Sequence, residues 1–285
     1  MKTLKRLFSV VIVVITCILL TACVGASTTN PADLTSIIKS EYNKVVSLEC
    51  HFSGTSAILN GSGVLIHEGG YIATNAHVIN YKSGGTTQSA QFIKVTHWTT
   101  QYHYTGTYQT EEAANPSIRN NYVHTVNISS SNLLLNDETH DLAIFKCTGC
   151  DETPLNLSFD FGSFTVKFRD FNTEPLKMGE PVAAIGNSMG TMFRCAVGVV
   201  SQTLDVFQNK ESGVIVNEIP YAIFHDATII KGNSGGPLFD AKGRLLGLNT
   251  FVMLNGDEEV AYGFSIALSS RSILKFMQDN PAKFV

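Results

Sequence analysis

"GNSGGPLF", residues 232–239, is the stretch on which the reading of this chain turns. Gly232, Gly235 and Gly236 strip side chains from around one serine, Ser234, and Pro237 with the hydrophobic pair Leu238 and Phe239 follows at once. Glycines serve where backbone must turn tightly or where another group must come very close. A serine in such a setting is a candidate nucleophile. Its hydroxyl is a poor one at neutral pH, so it needs a base to take its proton and a third group to orient that base.

Working outward, the chain offers both. "YIATNAHVI" (71–79) sets His77 after an apolar strand and a small-residue turn, and "ETHDLAIFK" (138–146) sets Asp141 at the mouth of another apolar strand. Alone, each piece has a plainer reading: a structural histidine, a turn aspartate, a tight glycine turn. Together, in the order His, Asp, Ser, they point to nucleophilic catalysis.

The pattern around these pieces is mostly short strands divided by glycine-rich turns. It runs through "VVSLECHFS" (45–53), the segment 55–79, "TVNISSSNLLLN" (125–136), "DLAIFKC" (141–147), "PVAAIGNS" (181–188), "CAVGVVSQTLDVF" (195–207), "GVIVNEI" (213–219), "RLLGLNTFVML" (244–254) and "AYGFSIAL" (261–268). Such runs predict an all-β, mostly antiparallel sandwich or barrel. Asn30 and Pro31 read as a helix cap and first turn for "ADLTSIIKSEYNKVV" (32–46), and "SSRSILKFMQDN" (269–280) reads as a closing helix. Residues 81–122, rich in Thr, Tyr, Gln, Asn and His, read as a variable hairpin or surface loop.

Of 285 residues, 44% are hydrophobic, enough for one large β domain or two small fused ones. The start is a leader: Lys2, Lys5 and Arg6, then an apolar run from Leu7 to Leu20, then "LTAC" (20–23). The run falls short of the ~20 residues of a comfortable membrane span. "LTAC" resembles the lipobox of bacterial lipoproteins, which implies a signal peptide over residues 1–22, lipid on Cys23 and a small polar tether over 23–30; an ordinary signal cut slightly later is the alternative. More than one acyl chain on Cys23 would give stable anchoring in a membrane, on its extracytoplasmic face. Without the leader's three basic residues, 17 Lys and Arg face 24 Asp and Glu, a formal charge of −7, which does not suit a nucleic-acid partner. Four cysteines remain, Cys50, Cys147, Cys150 and Cys195, and an exported chain can oxidise them in any of three connectivities. "CTGC" (147–150) lacks a matching second pair for zinc, so a disulfide or free thiols are expected there, and neither metal nor cofactor.

Taken in order, "GSGVLIHEGGYIATNAHVI" (61–79), "HDLAIFK" (140–146), "GEPVAAIGNSMGTMFRCAVGVVSQ" (179–202), "DATIIKGNSGGPLFDAKGRLLGLNT" (226–250) and "YGFSIA" (262–267) resemble the protease domain of the HtrA/Deg group of trypsin-like serine proteases. The resemblance implies two six-stranded antiparallel barrels, roughly residues 31–155 and 156–270, with short helices at either end and a cleft between. It implies Ser234 as nucleophile, His77 as general base and then acid, Asp141 as orienter, and the N–H groups of Gly232 and Ser234 as oxyanion donors, each such donor being worth ~3 kcal/mol. Asn233 stands where digestive relatives carry an aspartate that pairs with a new N-terminus, so activation independent of N-terminal processing is expected.

Substrate recognition follows from the same resemblance. "GLNTF" (247–251) is expected to pair with the backbone of a polypeptide substrate, with Thr228, Leu248, Asn249, Thr250 and Gly263 around a primary pocket, where Phe264 also lies. No Asp or Glu is evident at the pocket base, which favours a small or medium apolar side chain before the cut, Asp226 being read as structural. A glutamate-specific relative and a peptide-binding holdase are the alternatives. The group's usual PDZ domain is not expected before Val285, and a homo-oligomer, a trimer in that group, is the assembly the resemblance allows.

Overall fold

The computed structural model describes residues 34–97, 123–150, 165–189, 192–211, 214–254 and 260–284; the expected leader, tether and Cys23 lie outside these residues. The leading helix ends earlier than the sequence suggests, and its expected cap at Asn30 and Pro31 lies outside the described residues. Helix α1 covers Leu34–Glu41, Tyr42–Lys44 tighten into a 3-10 turn, and the β-branched pair Val45 and Val46 already belongs to a strand.

Two curled sheets follow. The first comprises β1 (Val45–His51), β2 (Ile58–His67), β3 (Tyr71–Thr74), β6 (Phe92–His97), β7 (Val123–Asn127), β8 (Leu133–Asp137) and β9 (Leu142–Lys146), in the order β7-β6-β1-β2-β3-β9-β8. Helix α2 (Ala76–Ile79) and a separate hairpin, β4 (Asn80–Ser83) with β5 (Thr86–Ser89), interrupt it. The second comprises β10 (Lys167–Phe168), β11 (Pro181–Ser188), β12 (Met192–Glu211), β13 (Val214–His225), β14 (Pro237–Asp240), β15 (Arg244–Leu254) and β16 (Val260–Ser269). Six of these run β15-β14-β11-β12-β13-β16, and pairing of β16 back onto β15 closes the barrel. The seventh, two-residue β10, adds in parallel to β15. The segment 81–122, expected as hairpin or loop, contains that hairpin from Tyr81 onward and all of β6 among its described residues.

Alternation along the strands explains the layers. In β9, Leu142 and Ile144 face a core shared by both sheets, while Ala143 and Phe145 face the interior of the first. β3 divides in the same way, Tyr71 and Ala73 to the shared core and Ile72 inward. The shared core also takes Ile185, Phe239, Leu245 and Leu268 from the second sheet and Ile273 of the closing helix α3 (Ser270–Asp279), whose N-cap Ser269 accepts the Arg271 N–H. Long β12 pairs with β11 up to Val199 and with β13 from Val200, and the register shift between Val200 and Gln202 marks where it changes partner. Of the four cysteines, Cys147 and Cys150 form a disulfide, Cys50 is buried and free, and Cys195 is exposed and free.

Candidate active site

His77 sits on the single turn of α2, just past β3, with 39% of its side chain open to solvent. Asp141, at the entrance of β9, is fully buried and holds a left-handed backbone, φ 56°. That conformation is uncommon for a residue with a Cβ, and aspartate is among those that tolerate it best. The carboxylate grips the histidine twice: Oδ1 accepts the His77 backbone N–H at 2.9 Å, and Oδ2 lies 2.8 Å from Nδ1. A carboxylate can only accept, so Nδ1 carries the proton and Nε2 keeps its lone pair. Burial draws the imidazole down, but the charge of Asp141 and its hydrogen bond outweigh burial and leave His77 above its ordinary value. The Phe251 ring stacks on His77, with centroids 5.8 Å apart and planes 21° off parallel.

Ser234 comes from the second sheet, in the turn before β14, yet the first sheet holds it. Ser62 on β2 donates its backbone N–H to the Ser234 carbonyl at 2.8 Å. Its hydroxyl donates to the Gly232 carbonyl at 2.8 Å and accepts the Asn187 N–H at 2.7 Å. The Ser234 hydroxyl lies 3.5 Å from the Thr250 carbonyl, and among the described residues it makes no hydrogen bond to His77.

The glycines divide their work. The absent Cβ of Gly232 makes room for backbone. A Cβ there would lie 2.3 Å from the Asn187 carbonyl oxygen and 2.7 Å from the Met189 nitrogen, and φ is +97°. The Lys231 carbonyl accepts the Met189 N–H at 2.7 Å, so in a trans peptide the Gly232 N–H faces the opposite way. Neither that N–H nor the Ser234 N–H has a hydrogen-bond partner among the described residues. Gly235, at φ +80°, would press a Cβ to 2.1 Å from Thr74 Oγ1. A Cβ on Gly236 would meet the Ile185 carbonyl oxygen at 2.4 Å. Gly235 thus serves the seam with the first sheet, while Gly236 is pressed by its own sheet and, at 3.0 Å, by the Ser62 Cβ across the seam. Asn233 is buried, and its Oδ1 accepts the Ser188 hydroxyl at 2.6 Å, a neutral bond that asks nothing of a chain terminus.

The expected recognition residues lie in unlike settings. Thr228 is exposed. Leu248 and Asn249 are fully buried, Leu248 in the shared core and Asn249 donating its amide to the Gly236 and Pro237 carbonyls, each at 3.0 Å. Their side chains are thus inward, contrary to a pocket-lining role. Thr250 is 3% exposed and sits where β15 has passed the end of its pairing with β14. Gly263 lies in β16, and Phe264 beside it is exposed. Asp226 accepts the Val199 N–H at 2.6 Å, a tie to β12.

Sequence reasoning passed over two residues that the structure makes central. One is Ser62, a small polar residue between two glycines on a strand. The other is Asn75, whose amide donates to the Asp141 carbonyl at 3.0 Å and to Thr250 Oγ1 at 2.9 Å, spanning the two sheets. A polar residue two positions before a candidate base was the available signal for Asn75.

Comparison with known proteins agrees with this geometry. Residues 61–248 match the trypsin-like peptidase domain. Serine protease HTRA1 of Xenopus laevis is 29% identical over 228 residues, covering 78% of this chain and 36% of that protein. A probable periplasmic serine endoprotease, DegP-like, of Hahella chejuensis is 30% identical over 139 residues, 49% of this chain and 25% of that protein. The chain thus spans about a third of the length of the curated relatives it matches. Among solved structures, the HtrA-type protease AlgW with tripeptide superposes with a TM-score of 0.57 at 22% identity, covering 86% of this chain and 62% of that one. The serine endoprotease from Yersinia pestis gives 0.55 at 23%, covering 87% and 66%. The chain belongs to the trypsin-like peptidase domain family, and within it is similar to the HtrA-type proteases.

Proposed function

We propose that the protein is a serine endopeptidase of the cell envelope that cuts polypeptides through an acyl-enzyme on Ser234. The observation that carries this is the double grip of buried Asp141 on His77, which leaves Nε2 as a free acceptor on the sheet seam that also holds Ser234. Ser234 Oγ attacks the scissile carbonyl carbon as its proton passes to His77 Nε2. The carbonyl π pair moves onto oxygen, where the Gly232 and Ser234 N–H groups receive the charge. Collapse breaks the C–N bond, and His77 hands its proton to the departing amine. Water then repeats the sequence and releases Ser234.

Backbone beyond Leu248 on β15 would pair with an extended substrate, with Thr228 and the β16 segment near Gly263 bordering the side chain before the cut. A small or medium apolar side chain suits that border, since Asp226 is already engaged by Val199. Leader removal and lipid on Cys23 would hold the enzyme to the membrane, which mass spectrometry of the N-terminal peptide from membranes tests: a diacylated Cys23 is expected, and an unmodified N-terminus overturns it.

One observation favours a second reading, a cleft that binds peptides and cuts little: the Ser234 hydroxyl faces the Thr250 carbonyl rather than His77. Incubation of the purified chain with unfolded casein separates the two. The endopeptidase reading expects fragments with the wild type and none with Ser234→Ala; intact casein in both supports the binding module.

A further inference from the structure

The end of the first sheet remote from the catalytic residues carries a second cluster that the proteolytic reading does not use. "CTGC" follows β9 directly. Its Cys150 N–H donates to the Cys147 carbonyl at 3.1 Å and Gly149 takes φ 80°, so the tight turn returns the second sulfur beside the first. Both cysteines are buried, and both pack in the interior of the first sheet. What the sequence lacked was a partner pair, and the fold supplies one from far along the chain. β6 and β7 pair with Val95 opposite His124, which makes His97 and His124 diagonal neighbours on one face of the hairpin. That face is the inward one, since Val95 is fully buried in the same interior as the cysteines.

Three ligand atoms, one each from His97, His124 and Cys150, lie within 4.8 Å of one another, and the Cys147 sulfur is bonded to that of Cys150. Tetrahedral zinc, with bonds of about 2.0–2.1 Å to nitrogen and about 2.3 Å to sulfur, separates its ligand atoms by roughly 3.3–3.8 Å. Closing these three by about 1 Å would bring them to zinc-binding separations, and the Cys147 sulfur, once parted from that of Cys150, would be the fourth ligand. His97 Nε2 is buried without a hydrogen-bond partner, a cost that a metal bond would remove.

We propose that Cys147 and Cys150, as thiolates, join His97 and His124 in a four-ligand site for Zn2+, the disulfide being the oxidised alternative of the same pair. The chain is made with thiols, so zinc and oxidation compete for it. Binding converts two Cys–SH groups to zinc-bound thiolates and releases two protons, with no change in oxidation state. Starting from the disulfide, a thiol reductant must first supply two electrons and be oxidised to its own disulfide. The ion would tie the β6–β7 hairpin to the exit of β9, roughly 20 Å along the strand from Asp141. This role is structural, and it stands whether or not Ser234 cuts peptides.

The test uses the full chain, reduced with a thiol reductant, given Zn2+ without oxygen and dialysed. One zinc per chain is expected, and none retained overturns the proposal. X-ray absorption at the zinc edge should count two sulfurs and two nitrogens; oxygen and nitrogen alone, or four sulfurs, would overturn it whether or not any variant folds. His97→Ala and Cys150→Ser should each lose the ion on dialysis, and a folded His97→Ala that holds zinc as the wild type does would contradict the assignment. Co2+ in place of zinc should give the intense visible bands of a tetrahedral thiolate site, where a weak octahedral spectrum would count against it.

Discussion

The base half and the nucleophile half of the candidate active site are built to different standards. His77 and Asp141 both come from the first sheet, and the buried Asp141 carboxylate locks His77 by two hydrogen bonds. Ser234 comes from the second sheet, and among the described residues its hydroxyl is engaged only at 3.5 Å with a carbonyl. Its backbone, by contrast, is stitched to the first sheet through Ser62 and through glycines that admit no Cβ. The candidate base is thus preassembled within one sheet, and the candidate nucleophile depends on the fit between two. Changes at His77 and Asp141 should alter chemistry with the fold intact, whereas changes along the seam should alter both.

The largest effect should come from Asp141→Asn. The amide would offer its own N–H groups to His77 and favour the wrong tautomer, so kcat should fall by about four orders of magnitude. Steady-state cleavage of a peptide substrate measures it, and a loss under tenfold would remove Asp141 from the chemistry. Gly232→Ala comes next. Its Cβ would collide with the Asn187 carbonyl, so the turn must shift: kcat should fall by roughly two to three orders of magnitude as the N–H is displaced, and the urea midpoint should fall with it. An unchanged midpoint would mean that the seam absorbs the Cβ.

Ser62→Ala tests the seam. It orphans the buried Gly232 carbonyl and the Asn187 N–H, and about 1–3 kcal/mol of stability should go with each orphaned group, read from the urea midpoint. The Nδ1–H proton resonance of His77 should stay where it is, because the base half does not run through Ser62; a shift there would break the distinction between the halves.

The smallest effect is on pH. Protonated His77 cannot take the Ser234 proton, so kcat/KM falls as pH drops through its pKa. Asp141 raises that pKa above the ordinary 6.5, so the acid limb should have its midpoint above 6.5. A midpoint at or below 6.5 would mean that burial outweighs the carboxylate.

Legibility in the sequence followed how local the cause was. β11 and β15 match their predicted bounds, Pro181–Ser188 and Arg244–Leu254, because each is dominated by apolar residues and bounded by turn signals. β6 and β10 were invisible: Phe92–His97 is masked by polar neighbours, and Lys167–Phe168 is a strand only because β15 lies beside it. In the site, Ser234, His77 and Asp141 stood out by residue type and setting. Ser62 and Asn75 did not, since their importance lies in partners 170 and 175 positions away. The inward side chains of Leu248 and Asn249 went unread for a related reason. An edge strand recognises substrate by its backbone, while its side chains follow the core. The His97 and His124 pair is the same lesson at the other end of the sheet, as only pairing of β6 with β7 sets the rings side by side.

Covalent labelling tests the central claim most directly. A fluorophosphonate reacts with a serine whose proton has a base to go to, and mass spectrometry locates the adduct. One adduct per chain on Ser234 is expected, growing faster as pH rises through the His77 titration and absent in His77→Ala. A folded chain with Ser234 unlabelled, or labelled equally in His77→Ala, would contradict the account.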